Sequence, residues 1–78
     1  MEKDYRTVII DDEESAIDNL CFELQRYTYI SIEGKARNGI SGIKMIERLQ
    51  PDLVFLDVEL PDMQGMDVVS KLEGYISW

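Results

Sequence analysis

The sequence has no histidine and a single cysteine, Cys21. A Ser-His-Asp triad is therefore excluded, as are the usual zinc sites built from histidine and cysteine. A lone cysteine closes no internal disulfide, which removes the disulfide-scaffold class and fits a reducing, cytoplasmic setting. Basic residues are scarce as well: eight Lys and Arg stand against sixteen Asp and Glu, for a net charge of −8. A field of that sign repels phosphate backbones and anionic leaflets, so neither nucleic acid nor a membrane is an expected partner of this chain. The longest apolar run, Leu53-Val54-Phe55-Leu56, falls far short of the roughly 20 residues a membrane-spanning helix needs. The charged start Met1-Glu2-Lys3-Asp4 does not open a secretory signal. No Ser/Gly-rich stretch divides the chain, and its 78 residues make at most one small domain. A domain of that size buries only roughly 60–65% of its unfolded surface. What remains is carboxylate chemistry on a small acidic globule.

Apolar residues at 45% and charged residues at 31% describe a globular chain, and the order of elements is legible. Thr7-Val8-Ile9-Ile10 is a β-branched run that ends abruptly in Asp11-Asp12-Glu13-Glu14, a buried strand opening onto an acidic loop. From Ser15 the period becomes helical, with Ile17, Leu20, Cys21, Leu24 and Tyr27 on one face, and Ser15 with Asp18 has the spacing of a capping box. Tyr29 to Lys35 alternates like an edge strand, with Ile30, Ile32 and Gly34 on one side. A second helix is predicted from about Ser41 to Leu49, with Ile43, Ile46 and Leu49 inward and Pro51 stopping it; Asn38, Gly39 and Gly42 read as turn and helix-start residues. Leu53 to Leu56, apolar on both faces, reads as a strand covered by helices on either side. A last helix, roughly Gln64 to Leu72, packs Val68, Val69 and Leu72 and takes Gly74 as its C-cap. The order βαβαβα is the start of an α/β, doubly wound parallel sheet.

In open parallel sheets ligands bind beyond the carboxyl ends of the strands, where the strand order reverses. The first strand ends at Asp11-Asp12 and the third at Asp57. If those strands are neighbours, three carboxylates meet in one crevice. Each close pair repels by about 1–4 kcal/mol, and such a cluster persists by keeping a proton or by binding a cation. Ligands that are all oxygen suit a hard cation, Mg²⁺ or Mn²⁺. A carboxylate beside such a cation can also attack phosphorus as a nucleophile. The plainer reading, cap and turn residues on a solvated acidic face, stays open for Asp11 and Asp12. Asp57 directly follows four apolar residues and belongs to no charged face. Cys21 reads as a small core residue, and Met63 and Met66 as packing or surface contacts.

Val8-Ile9-Ile10-Asp11-Asp12-Glu13, taken with Pro51-Asp52-Leu53-Val54-Phe55-Leu56-Asp57-Val58-Glu59-Leu60-Pro61-Asp62-Met63-Gln64-Gly65, resembles the receiver domain of bacterial two-component response regulators. The resemblance lies in the acidic pair after strand one, the Asp after an apolar strand, and the Pro and Gly that follow it at Pro61 and Gly65. More weakly, the helices are similar to those of receivers that precede LytTR-type DNA-binding domains. The resemblance implies a flavodoxin-like sheet of order 2-1-3 for the strands present. It implies Asp57 as phosphoacceptor and Mg²⁺ as cofactor, held by Asp12 directly, by Asp11 mainly through water, by Asp57, and by the backbone carbonyl of Glu59. Pro61 and Gly65 would shape the loop after strand three, Gly65 because the chain turns tightly there. A sensor histidine kinase is the implied partner, and the module is a signalling domain rather than an enzyme.

The family resembles a sheet of five strands with five helices, whereas residues 1–78 stop after the third helix, as a partial receiver domain without an output domain. The family's Ser/Thr after strand four and Lys after strand five have no counterpart, since Lys44 and Lys71 lie on predicted helices. Impaired phosphotransfer is the expectation, and with it comes a rival reading: a non-phosphorylated interaction or dimerisation module that keeps half of the receiver fold. An Asp-nucleophile phosphohydrolase fits less well, because such enzymes place Asp-x-Asp after strand one. The third strand, carrying no Lys, Pro or bulge signal, is left as an unprotected edge. A homodimer through the third strand and third helix is therefore expected, with Tyr75, Ile76 and Trp78 helping to cover the gap.

Overall fold

The computed structural model describes residues 4–72. Three strands alternate with three helices: β1 (Tyr5–Ile10), α1 (Glu14–Leu24), β2 (Ile30–Ala36), α2 (Gly39–Leu49), β3 (Leu53–Leu56) and α3 (Gly65–Lys71). The strand order is β2-β1-β3, with both pairings parallel, which is the 2-1-3 order expected of a flavodoxin-like sheet. β1 takes the centre: its last four residues are all β-branched, and all four are buried. Val8 and Ile10 point to one face, where they meet Ala36, Ile46, Val68 and Leu72. Ile9 points to the other, against Ile17 and Leu24 of α1. Each such side chain removed from water contributes about 1.5–3 kcal/mol. Thr7, the buried polar residue of the strand, donates its hydroxyl to the Tyr5 carbonyl at 2.9 Å and so leaves no orphaned group.

β2 departs from the simple alternation. The register with β1 slips between Thr7 and Val8: Thr7 faces Ile32, but Val8 faces Gly34, so Glu33 is the extra residue of a β-bulge. The bulge inverts the pleat. Ile30 and Ile32 pack with the α1 cluster, whereas a side chain at Gly34 would run into Met45 and Leu49 of α2. The expectation that Ile30, Ile32 and Gly34 share one side is thus corrected, because one inserted residue moves everything after it to the other face.

Three helix details also differ from the sequence reading. α1 begins at Glu14 with Glu13 as N-cap and no side-chain cap, so no box forms between Ser15 and Asp18. The capping box is found at α3, where Gln64 and Asp67 bond reciprocally. Tyr27 lies beyond α1 on an exposed turn, its ring 5.8 Å from that of Tyr29. α2 starts at Gly39, where Asn38 accepts the Ser41 N–H at 2.8 Å, and it ends at Gln50, whose left-handed φ of 47° precedes Pro51. The β3 residues are all partly exposed, with Val54 and Leu56 turned to the α2–α3 side and Phe55 to the α1 side. Gly74, Tyr75, Ile76 and Trp78 lie outside the described residues.

Candidate functional site

The hydrogen-bond ladders of the sheet continue one residue past the strands and then stop. The Asp11 N–H donates to the Ala36 carbonyl at 3.0 Å, and the Asp57 N–H to the Ile10 carbonyl at 2.9 Å. Both acidic segments are therefore fixed by backbone to the centre of the sheet at the point where the strands end. Their side chains emerge at the carboxyl edge.

There the structure brings Asp11, Asp12 and Asp57 together: each offers a carboxylate oxygen, and the three oxygens lie within 4.8 Å of one another. Asp12 is exposed and the other two are half-buried. The Asp11 carboxylate also accepts the Glu13 N–H at 3.0 Å, which closes the loop before α1. An open cleft of about 470 Å³ runs beside the cluster, walled by Asp12 and Glu13 on one side and by the segment from Asp57 to Pro61 on the other. Glu59 lies on that wall, its N–H directed at Asp57 Oδ1 at 3.4 Å and its backbone bridged to Gln64. All three gathered side chains are oxygen donors, and a hard divalent cation fits that chemistry.

The loop from Asp57 to Gln64 is tied down at several points. The Gly65 N–H donates to the Val58 carbonyl at 2.7 Å, and the Leu60 N–H to the Met63 carbonyl at 3.0 Å. Gly65 has no positive φ, so a turn that only glycine can make is not what selects it. A Cβ there would stand 2.5 Å from the Asp57 carbonyl oxygen and 3.2 Å from the Val58 Cα, so the cause is close backbone approach. Two site-building residues carried no local sequence signal. Asp62 reaches across to α2, where its two carboxylate oxygens accept the Gly39 N–H at 2.7 Å and the Ile40 N–H at 2.9 Å. These bonds, Gly39 first, hold the Asp62 carboxyl below its ordinary value of 3.8. Arg37 donates Nη2 and Nε to the Asp12 carbonyl at 2.8 and 3.2 Å.

Comparison with known proteins agrees with this geometry. The sequence profile of the response regulator receiver domain matches residues 7–76. The transcriptional regulatory protein BtsR of Escherichia coli is 37% identical over 68 residues, covering 87% of this chain and 28% of the relative. A response regulatory protein of Vibrio cholerae is 39% identical over 66 residues, covering 85% of this chain and again 28% of the relative. Among solved structures, the signal receiver domain of a response regulator from Mycobacterium tuberculosis superposes with a TM-score of 0.87 at 25% identity, covering 94% of this chain and 59% of that one. The response regulator domain of Thermotoga maritima CheB reaches a TM-score of 0.88 at 19% identity over 94% of this chain and 55% of its own, a likeness of fold. The chain thus spans little more than a quarter of the curated relatives it matches. Among the described residues, no helix is long and apolar enough to cross a membrane.

Proposed function

The chain belongs to the response regulator receiver family, and from that premise we propose that it is a phosphoacceptor module in which Asp57 takes a phosphoryl group from a sensor histidine kinase. The observation that carries this reading is the convergence of Asp11, Asp12 and Asp57 at the carboxyl edge of the sheet. Asp57 follows the last strand residue directly, and its backbone is locked to Ile10, so its carboxylate is held at a fixed place on the open cleft. A carboxylate oxygen of Asp57 attacks phosphorus in line. The bond from phosphorus to the donor nitrogen breaks, and its electron pair leaves with the imidazole. Mg²⁺ fits the donor set: Asp12 and Asp57 would hold it directly, Asp11 mainly through water, and Glu59 through its backbone carbonyl. Bound there, it supplies charge neutralisation to the phosphoryl oxygens. The module signals by carrying the group and is not an enzyme acting on a separate substrate. We place it in the cytoplasm, in keeping with its lone cysteine.

Incubation with acetyl phosphate and Mg²⁺, read by intact mass, tests the assignment. One phosphoryl addition is expected on the wild-type chain and none on Asp57→Ala. Labelled Asp57→Ala protein would defeat the assignment to Asp57.

A second reading, a dimerisation module, has an observation of its own. Among the described residues β3 pairs on one side only, with β1, and all four of its residues are partly exposed. It carries no edge protection of the kind that blocks strand pairing. We propose a two-fold dimer built on β3 and α3. Light scattering coupled to size exclusion tests it, and a monomer with dispersed amide spectra at all concentrations would refute it.

A further inference from the structure

Arg37 stands one residue past β2, on the flank of β1 away from β3. Acids outnumber bases two to one in this chain, and Arg37 is exposed. Among the described residues no ion pair within 4.0 Å occupies this one. Its guanidinium closes instead on a single backbone oxygen, the carbonyl of Asp12, with Nη2 at 2.8 Å and Nε at 3.2 Å. The preceding residue does the same by backbone, since the Ala36 carbonyl accepts the Asp11 N–H at 3.0 Å. Two consecutive residues at the end of β2 therefore grip two consecutive residues of the acidic loop. The grip on Asp12 depends on one side chain.

We propose that Arg37 is a positioning residue: its fork fixes the Asp12 peptide and so holds the acidic loop with the Asp12 carboxylate inside the cluster. The inference deepens the Mg²⁺ reading of the crevice and rests on it for its consequence, pre-set cation affinity. Charge and geometry pull in opposite directions here, which makes the proposal sharp. A guanidinium beside the crevice repels a bound cation, so on charge alone its removal tightens binding. On positioning, removal loosens binding, because the Asp12 ligand must then be ordered at the moment of capture. Lysine keeps the charge but has no planar fork to close on one carbonyl, so Arg37→Lys separates the two effects.

The test uses the whole chain as wild type, Arg37→Ala and Arg37→Lys. Mg²⁺ is titrated against the amide shifts of Asp12 and Asp57, and amide hydrogen exchange at Glu13 is followed without metal. Arg37→Ala is expected to weaken Mg²⁺ binding by about 5–10-fold, the low end for a supporting residue because charge acts the other way. It is also expected to speed exchange at Glu13 in metal-free protein while the β1 amides keep their protection. Arg37→Lys, which keeps the charge without the fork, should bind Mg²⁺ no more tightly than Arg37→Ala. Equal or tighter binding by Arg37→Ala would overturn the proposal. If the wild-type chain takes up no Mg²⁺, the metal reading fails by itself, and metal-free exchange still judges Arg37: unchanged rates at Glu13 overturn the positioning role, and faster rates support it.

Discussion

Replacing Asp57 with asparagine removes one charge from a cluster whose oxygens lie within 4.8 Å of one another, and it leaves the size of the side chain unchanged. At that separation one carboxylate pair repels by about 0.9 kcal/mol in bulk water and by about 3.5 kcal/mol at an effective dielectric of ~20. Asp57 faces two such partners, so its share lies between roughly 2 and 7 kcal/mol before any discount. Asp12 is exposed and the cleft is open, which puts the value near the lower end, and the Arg37 guanidinium on the Asp12 carbonyl offsets part of what is left. Asp57→Asn is therefore expected to stabilise the metal-free fold by about 1–2 kcal/mol at low salt, or roughly 5–15 °C in Tm for a domain of this size. Mg²⁺ at ten times its Kd adds about 1.4 kcal/mol to the wild-type chain and much less to the variant, so the gap narrows or reverses. Thermal unfolding followed by circular dichroism, in chelator, in Mg²⁺ and in high salt, measures all three conditions. High salt should shrink the metal-free gap by screening. A variant no more stable than wild type in chelator, with Mg²⁺ raising both equally, would show that the carboxylates neither repel nor share a cation.

Gly65→Ala should cost about 1–3 kcal/mol of stability, because its Cβ would stand 2.5 Å from the Asp57 carbonyl oxygen, well inside ordinary contact, and that neighbour is backbone. Gly34→Ala should be near neutral, since the intruded atom is the far end of the Met45 side chain; equal losses in urea unfolding would contradict this account. For Asp62 the linkage runs in one direction: its folded-state pKa lies below 3.8, so the stability it contributes is full above that value and is lost as pH falls through the depressed one. Urea midpoints measured from pH 5 downward should fall less steeply for Asp62→Asn than for wild type, and parallel slopes would remove Asp62 from the linkage. Arg6→Ala gives up bonds to the Leu49 carbonyl at 2.7 Å and the Gln50 carbonyl at 3.2 Å and should lose about 1–2 kcal/mol, visible as a lower urea midpoint with unchanged slope.

Much of the site could be read in advance because its signals are local and abrupt. Val8-Ile9-Ile10 stops at Asp11 and Leu53 to Leu56 stops at Asp57, and a strand whose apolar run breaks at a carboxylate places that carboxylate at the sheet edge in any parallel arrangement. The parts that were not legible depend on non-local contacts or on one inserted residue. The Glu33 bulge changes which face Gly34 occupies, and its only trace is a glycine within a strand, a sign that fits close backbone approach equally well. The cap that satisfies the first turn of α2 comes partly from Asn38, at its ordinary position, and partly from Asp62, far along the chain. Helix-start rules look only at neighbouring residues, so they locate the first and miss the second. The same limit applied at Ser15, where the spacing of a capping box was present but the helix had already begun at Glu14.

The carboxylates of the cluster and the groups that hold them belong to different parts of the chain. Asp11, Asp12 and Asp57 are fixed chiefly through their backbones, by Ala36, Arg37 and Ile10 in turn, and this leaves their side chains directed at the cleft. Asp62 ties the loop after β3 to the start of α2, and the Met63 side chain packs over Gly39 in the space a Cβ would take. Movement of the Asp57 loop therefore cannot stay local: it has to break the Asp62 bonds, carry Met63 off Gly39, or drag the first turn of α2 along. Two elements joined by a bidentate carboxylate and one packed side chain are the kind of connection that can have two discrete arrangements. A charge arriving on Asp57 would bias that connection through the loop backbone. If Asp57 takes the phosphoryl group as proposed, Asp62→Asn should reduce the accompanying amide shift changes at Gly39 and Ile40, and changes of wild-type size would refute the coupling.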